Sequence, residues 1–194
     1  MNNPFSSESY IDKNFSKINY SNKQIEHIEF ENCTFIKCNF QETSFRSCKF
    51  IDCTFHSCNL NAVILTNSSF LEASFTESKL DGIDWTKTTN VRELIFKTSS
   101  IKYSNFRFLS LEKSTFHDCI IIDSDFTETN LLESNLTKSD FEKTIFFKTN
   151  LSKVDMRHAK NYYIDTNNNN IKDAKFTYPE VIGLLKPLNI TIDY

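Results

Sequence analysis

Large apolar residues fall on every fifth position from Phe30: Phe30, Phe35, Phe40, Phe45, Phe50, Phe55, Leu60, Leu65, Phe70, Phe75, Leu80 and Trp85. The pattern slips by one residue, resumes at Val91, and runs through Phe96, Ile101, Phe106, Leu111, Phe116, Ile121, Phe126, Leu131, Leu136, Phe141, Phe146 and Leu151 to Met156. A period of five matches neither the 3.6 of a helix nor the 2 of a lone strand. It suits a chain that turns a corner every five residues. Four such sides close a square coil of about 20 residues, an all-β repeat architecture. Each large side chain then points to the axis and stacks on its equivalent one coil away.

A second set of positions agrees. Two residues before each large one stand Cys33, Cys38, Thr43, Cys48, Cys53, Cys58 and, after the slip, Ser99, Ser104, Ser114, Cys119, Ser124 and their equivalents. None of this set is charged and most are small, as a narrow, densely packed interior requires. The residue just before the large one is often Asn or Asp (Asn39, Asn59, Asp84, Asn105, Asp125, Asn130), side chains that support turns through nearby backbone. The segments 124–128 (SDFTE) and 134–138 (SNLTK) resemble the repeat unit of the pentapeptide repeat family. The resemblance spans residues 28–160 and implies a right-handed quadrilateral β-helix. Phe, Cys and Thr stand where that family often has Leu and Ala, which changes volume and not plan.

The flanks read differently. Positions 5, 10, 15, 20 and 25 continue the large residues, but the matching inward positions are Asn3, Glu8, Lys13, Ile18 and Lys23. Unpaired charges do not belong in so narrow a core, so residues 1–27 are expected to cap the first coil. The repeat region 28–160 gives a rod roughly 31 Å long at about 4.8 Å per layer. The extra residue within 86–90 is expected as a bulge or a longer corner. In 161–194, Thr166–Asn170 reads as a turn and Ala174–Phe176 as a last partial repeat. A short helix follows from Pro179 and Glu180, with Pro187 expected to stop it, and then a strand over 190–193. Val181, Ile182, Leu184, Leu185 and Leu188 supply its apolar face. This helix resembles the C-terminal helix of Qnr quinolone-resistance and microcin immunity proteins, which implies a homodimer joined end to end through those residues.

Composition narrows the chemistry. The net charge of -3 excludes a generic basic nucleic-acid binder, so no direct nucleic-acid contact is expected. No apolar stretch reaches the length of a membrane span, and the start MNNPFSSESY has no secretory pattern. A cytoplasmic location with reduced thiols is therefore expected. The 6 Cys sit on the inward small position, so they read as buried small apolar groups and not as a zinc set. The 4 His are scattered; His56 and His117 share a face about three coils apart. No phosphate loop, nucleophile elbow, metal site or cofactor motif is present, and no enzyme is expected.

The outer surface carries the functional expectation. One side, centred on Phe30, Phe50, Phe70, Val91, Leu111, Leu131 and Leu151, presents Asn32, Asp52, Glu72, Glu93, Lys113, Glu133 and Lys153 in a column, its acids beside Ile51, Leu71 and Leu132. Acids beside exposed apolar groups mark a candidate partner surface. The family resemblance implies a rod that imitates duplex DNA and binds DNA gyrase or topoisomerase IV, giving quinolone or toxin resistance. The alternative is an interaction scaffold for another protein without topoisomerase activity. Magnitude favours local over global mimicry: about 62 Å of duplex carries roughly 36 charges, against a dimer net charge of twice -3. An acidic stretch within 121–145 (Asp123, Asp125, Glu128, Glu133, Asp140, Glu142) is a second place for such mimicry.

Overall fold

The structure, a computed structural model, describes residues 4–188 and 190. It is a right-handed quadrilateral β-helix with one short helix at its C-terminal end. Strands of three residues stack parallel and in register on one side (Ser9–Ile11, Glu29–Glu31, Lys49–Ile51, Ser69–Leu71, Asn90–Arg92) and on the next (Asn14–Ser16 through Thr115–His117). The register is twenty residues, as in Phe30↔Phe50 and Phe35↔Phe55. Single parallel bridges continue the ladder to Asp155↔Lys175.

The five-residue unit explains the square section. The large residue is buried on the axis, and rings stack flat from coil to coil: Phe35 on Phe55 and Phe50 on Phe70, both with centroids at 4.6 Å. Two residues after it the backbone turns with a left-handed φ, as at Asp52 (51°), Glu72 (57°) and Lys113 (57°). That conformation is unfavourable for most L-residues, and it is held by the corner N–H, which donates to the next coil. Asp52 donates to the Leu71 carbonyl at 3.0 Å and Lys113 to Leu132 at 2.9 Å. The Asn or Asp just before the large residue accepts from the N–H two residues on, as Asp125 does from Thr127 at 2.8 Å.

The inward small residue does more than save space. Its side chain donates to a central-residue carbonyl of the coil below: Ser124 to Ile101 and Ser139 to Phe116, both at 2.8 Å, and Cys53 Sγ to Phe30 at 3.3 Å. Ser139 Oγ also accepts from the Cys119 N–H at 2.9 Å. Ser, Thr and Cys recur there because each combines small volume with a donor, which a buried carbonyl requires.

Two expectations at the ends change. Residues 9–26 form ladder and not a separate cap: Tyr10 pairs with Phe30, Phe15 with Phe35 and Ile25 with Phe45. The charges at the inward positions are tolerated because an inward residue leans on the coil below, and the first coil has none. Glu8, Lys13 and Lys23 are accordingly exposed; Asn3 lies outside the described residues. Phe5 closes that end, buried with its ring 5.1 Å from Tyr20 and 5.8 Å from Phe30. At the other end the ladder passes residue 160, with Ile171 and Phe176 packing on the core. The helix Glu180–Leu188 has 3-10 geometry and includes Pro187. Gly183 and Pro187 within nine residues lower α-helix propensity and remove a donor. Ile190 is not in a strand, and residues 191–193 of the expected terminal strand lie outside the described residues.

The slip is a corner, as expected. Trp85–Lys87 form a 3-10 turn capped by the Asp84 side chain, which accepts from the Thr86 N–H. The register widens to twenty-one residues across it, as in Phe75↔Phe96, and returns to twenty at Phe96↔Phe116.

Candidate functional site

The acidic column is a product of corner geometry. Asp52, Glu72, Glu93 and Glu133 all occupy left-handed corners at the edge of one side, with φ of 51°, 57°, 49° and 59°, and all four are exposed. Asp52, Glu72 and Glu93 stand on three successive coils, through Phe50↔Phe70 and Val91↔Phe70. Their charges are not equally free. Arg92 Nη2 lies 2.7 Å from Glu72, and Lys153 Nζ lies 2.9 Å from Glu133. The Lys153 ammonium holds the Glu133 carboxyl below its ordinary pKa. Asp52 and Glu93 have no ion pair among the described residues. The same side also carries Glu29, Glu31 and Glu112, whereas the next side carries Lys17, Lys37, Lys97, Lys138 and Lys175. Lys49, Arg92, Lys113, Lys153 and Lys172 also stand on the first side, and Glu77, Asp118 and Asp155 on the second, so the first side has an excess of acids interleaved with bases.

The neighbouring apolar groups differ from expectation. Ile51, Leu71 and Leu132 are half-buried, because residues just after the central one lie against equivalents on adjoining coils, as Ile51 does beside Leu71. Exposed apolar side chains stand elsewhere: Tyr103 and Phe108, 65% and 62% exposed, occupy corners, and Ile64, Ile120, Ile145 and Phe147 lie on flat sides. The sequence held the signal for the two aromatics, since nearly every other corner bears a polar or charged residue. The stretch 121–145 does not form one patch. It winds around the rod, so its six acids are shared among different sides.

The six cysteines are buried. Burial pushes the Cys53 and Cys119 thiols up to about 12, and Cys58 is also raised, by its hydrogen bond with Cys38 and by burial. Such thiols are neutral and poor metal ligands. Among the described residues no group of three or more His, Cys, Asp or Glu is placed to hold a metal, and no helix is long and apolar enough to cross a membrane. His56 and His117 sit on one side, separated along the ladder by Thr76 and Lys97.

At the C-terminal end Val181, Ile182 and Leu184 are half-buried on the rod, while Leu185 and Leu188 are exposed. Gly183 packs above the Tyr162 carbonyl, where a Cβ would lie 3.8 Å away. The Tyr162 hydroxyl is buried without a hydrogen-bond partner among the described residues, and burial, with Glu180 nearby, pushes its pKa up to about 12.

Comparison with known proteins agrees with the geometry. Residues 28–106 match the pentapeptide repeat region family and residues 124–160 match pentapeptide repeats. No curated protein sequence matches the chain. Two trypsin-treated forms of QnrB1, described as a plasmid-mediated fluoroquinolone resistance protein, superpose with TM-scores of 0.66 and 0.65. Each is 19% identical, the superpositions covering 99% and 95% of this chain and 94% and 100% of theirs. At that identity the likeness concerns the fold. The axial ring stack, the left-handed corners and the two sequence matches together place this chain in the pentapeptide repeat family.

Proposed function

We propose that the protein is a non-enzymatic binding rod whose acidic side occupies a cationic DNA-binding surface of DNA gyrase or topoisomerase IV. The observation that carries this reading is the file of carboxylates on three successive corners of one side, Asp52, Glu72 and Glu93, on a fold like that of a fluoroquinolone resistance protein. Carboxylates at fixed spacing on a stiff rod meet a positive groove without the ordering cost of a flexible chain. The exposed Leu185 and Leu188 supply an end-to-end homodimer contact that doubles the length of the acidic side. The buried unpaired thiols suit the reducing cytoplasm.

The test is a gyrase supercoiling assay with added protein, with and without ciprofloxacin. Inhibition of supercoiling, or relief of the drug, is expected at micromolar protein. Neither effect would leave the second reading, a scaffold for a different protein. That reading is favoured by the neutralisation of Glu72 and Glu133 by Arg92 and Lys153.

A further inference from the structure

The extra residue near Asn90 opens the ladder on the acidic side. Elsewhere on this side the central and corner N–H groups donate to the next coil: Leu111 to Asn130 at 2.7 Å, Leu131 to Asn150 at 2.8 Å, Glu72 to Arg92 at 2.8 Å. The equivalent N–H groups of Val91 and Glu93 reach no acceptor on the next coil among the described residues, and the Ser110 N–H does not reach Thr89. Asn90–Arg92 pairs back to Ser69–Leu71 only, and Ser110 bridges forward to Asn130 only. The flanking sides stay closed, through Ile95↔Thr115 and Asp84↔Asn105. The result is a slit between two coils, too short for a whole strand.

The slit is a cavity of about 300 Å³ between Asn90–Glu93 and Ser110–Lys113. Through Asn90, Val91 and Ser110 it joins a second of about 150 Å³ bounded by Thr88, Phe108 and Leu109. Its floor is mixed, with Val91 and Leu109 beside Thr89. Thr89 and Leu109 occupy the inward position that is buried in all the other repeats from Ile28 to Ala159, yet Thr89 is exposed and Leu109 only half-buried. The carbonyls of Thr89, Ser110 and Glu112 face the opening without a backbone donor. The Glu93 carboxylate carries no ion pair among the described residues, and Glu112 accepts a hydrogen bond from the Asn130 side-chain amide on the far side. Two cations also line the slit: Arg92, which is held by Glu72, and Lys113. Phe108 already has the Arg107 guanidinium 5.1 Å from its centroid.

We propose that this slit receives an arginine side chain from a protein partner. The inference rests on the acidic side being the one that faces the partner. A guanidinium is planar and carries five N–H donors, which suits a narrow opening lined by three open carbonyls and the Glu93 carboxylate. Its methylene stem covers Val91 and Leu109, and Phe108 flanks it as an aromatic anchor. Lysine, with a compact head and three donors, fits less well.

The test uses the full chain, isotope-labelled, titrated with a capped hexa-arginine peptide and followed by amide chemical shifts. Shifts are expected to centre on 88–93 and 108–113. Phe108→Ala, and separately Glu93→Gln, are expected to weaken binding by about tenfold. A hexa-lysine peptide is expected to bind about threefold more weakly. Deleting Thr88, which restores the twenty-residue register, is expected to close the slit and abolish binding. If that deletion does not fold, the point variants decide. Shifts spread evenly from Asp52 to Glu133 and insensitive to Phe108→Ala would overturn the proposal, as would no binding. A protein inert toward topoisomerase that still takes the peptide in the slit sinks the functional reading and keeps the slit. The converse result does the opposite.

Discussion

A single buried serine shows what holds a coil to its neighbour. Ser139 Oγ accepts from the Cys119 N–H and donates to the Phe116 carbonyl, and its side chain is fully buried. Ser139→Ala would leave both backbone groups unpaired at a cost of about 1–3 kcal/mol each before relaxation. Ser139→Cys keeps a donor, as Cys53 and Cys58 do naturally, and should recover much of the loss. Denaturant unfolding of the two variants checks this; equal stabilities would mean that the small position serves volume alone. The sequence made the small, uncharged character of this position legible. Its donor role was not, because it depends on a carbonyl twenty-three residues earlier.

At the scale of the element, the slip shows how one residue propagates. Trp85–Lys87 absorbs the insertion in a 3-10 turn, and three of the four sides resume their ladder. The fourth does not, and its Val91 and Glu93 amides are left to water. Hydrogen exchange should therefore find these two amides weakly protected, while Glu72 and Lys113, at the matching corners, are protected. Equal protection at all four would show the ladder closed. The slip itself was plain in the spacing from Trp85 to Val91. Which side would open was not, since it depends on how the turn shares its displacement between coils. The C-terminal helix shows a related limit. Its apolar residues were evident, but the tertiary packing of Gly183 on Tyr162 decided that Val181, Ile182 and Leu184 turn partly to the rod.

For the whole molecule, that packing leaves Leu185 and Leu188 outside. If they join two rods, Leu185→Ser with Leu188→Ser should convert a dimer to a monomer in sedimentation equilibrium with little change in unfolding midpoint. A wild-type monomer at tens of micromolar would remove the end-to-end contact. Charge on the rod is likewise a whole-molecule property. The acids of 121–145 look concentrated along the chain but are dispersed by winding, while Asp52, Glu72 and Glu93, twenty or twenty-one residues apart, are brought into file.

The sequence alone determined the rod, because a large residue every fifth position has only one economical way to bury itself: on the axis of a four-sided coil. It also determined the acidic file, since residues at one corner of a repeat must stack. The tertiary structure decided how far the rod extends, because an inward charge is excluded only where another coil lies beneath it. It decided which carboxylates are free, because ion pairs such as Glu72 with Arg92 depend on side-chain reach between coils. It alone revealed the slit, because hydrogen bonds between coils are made or lost by fractions of a residue's length, which a spacing of letters does not record.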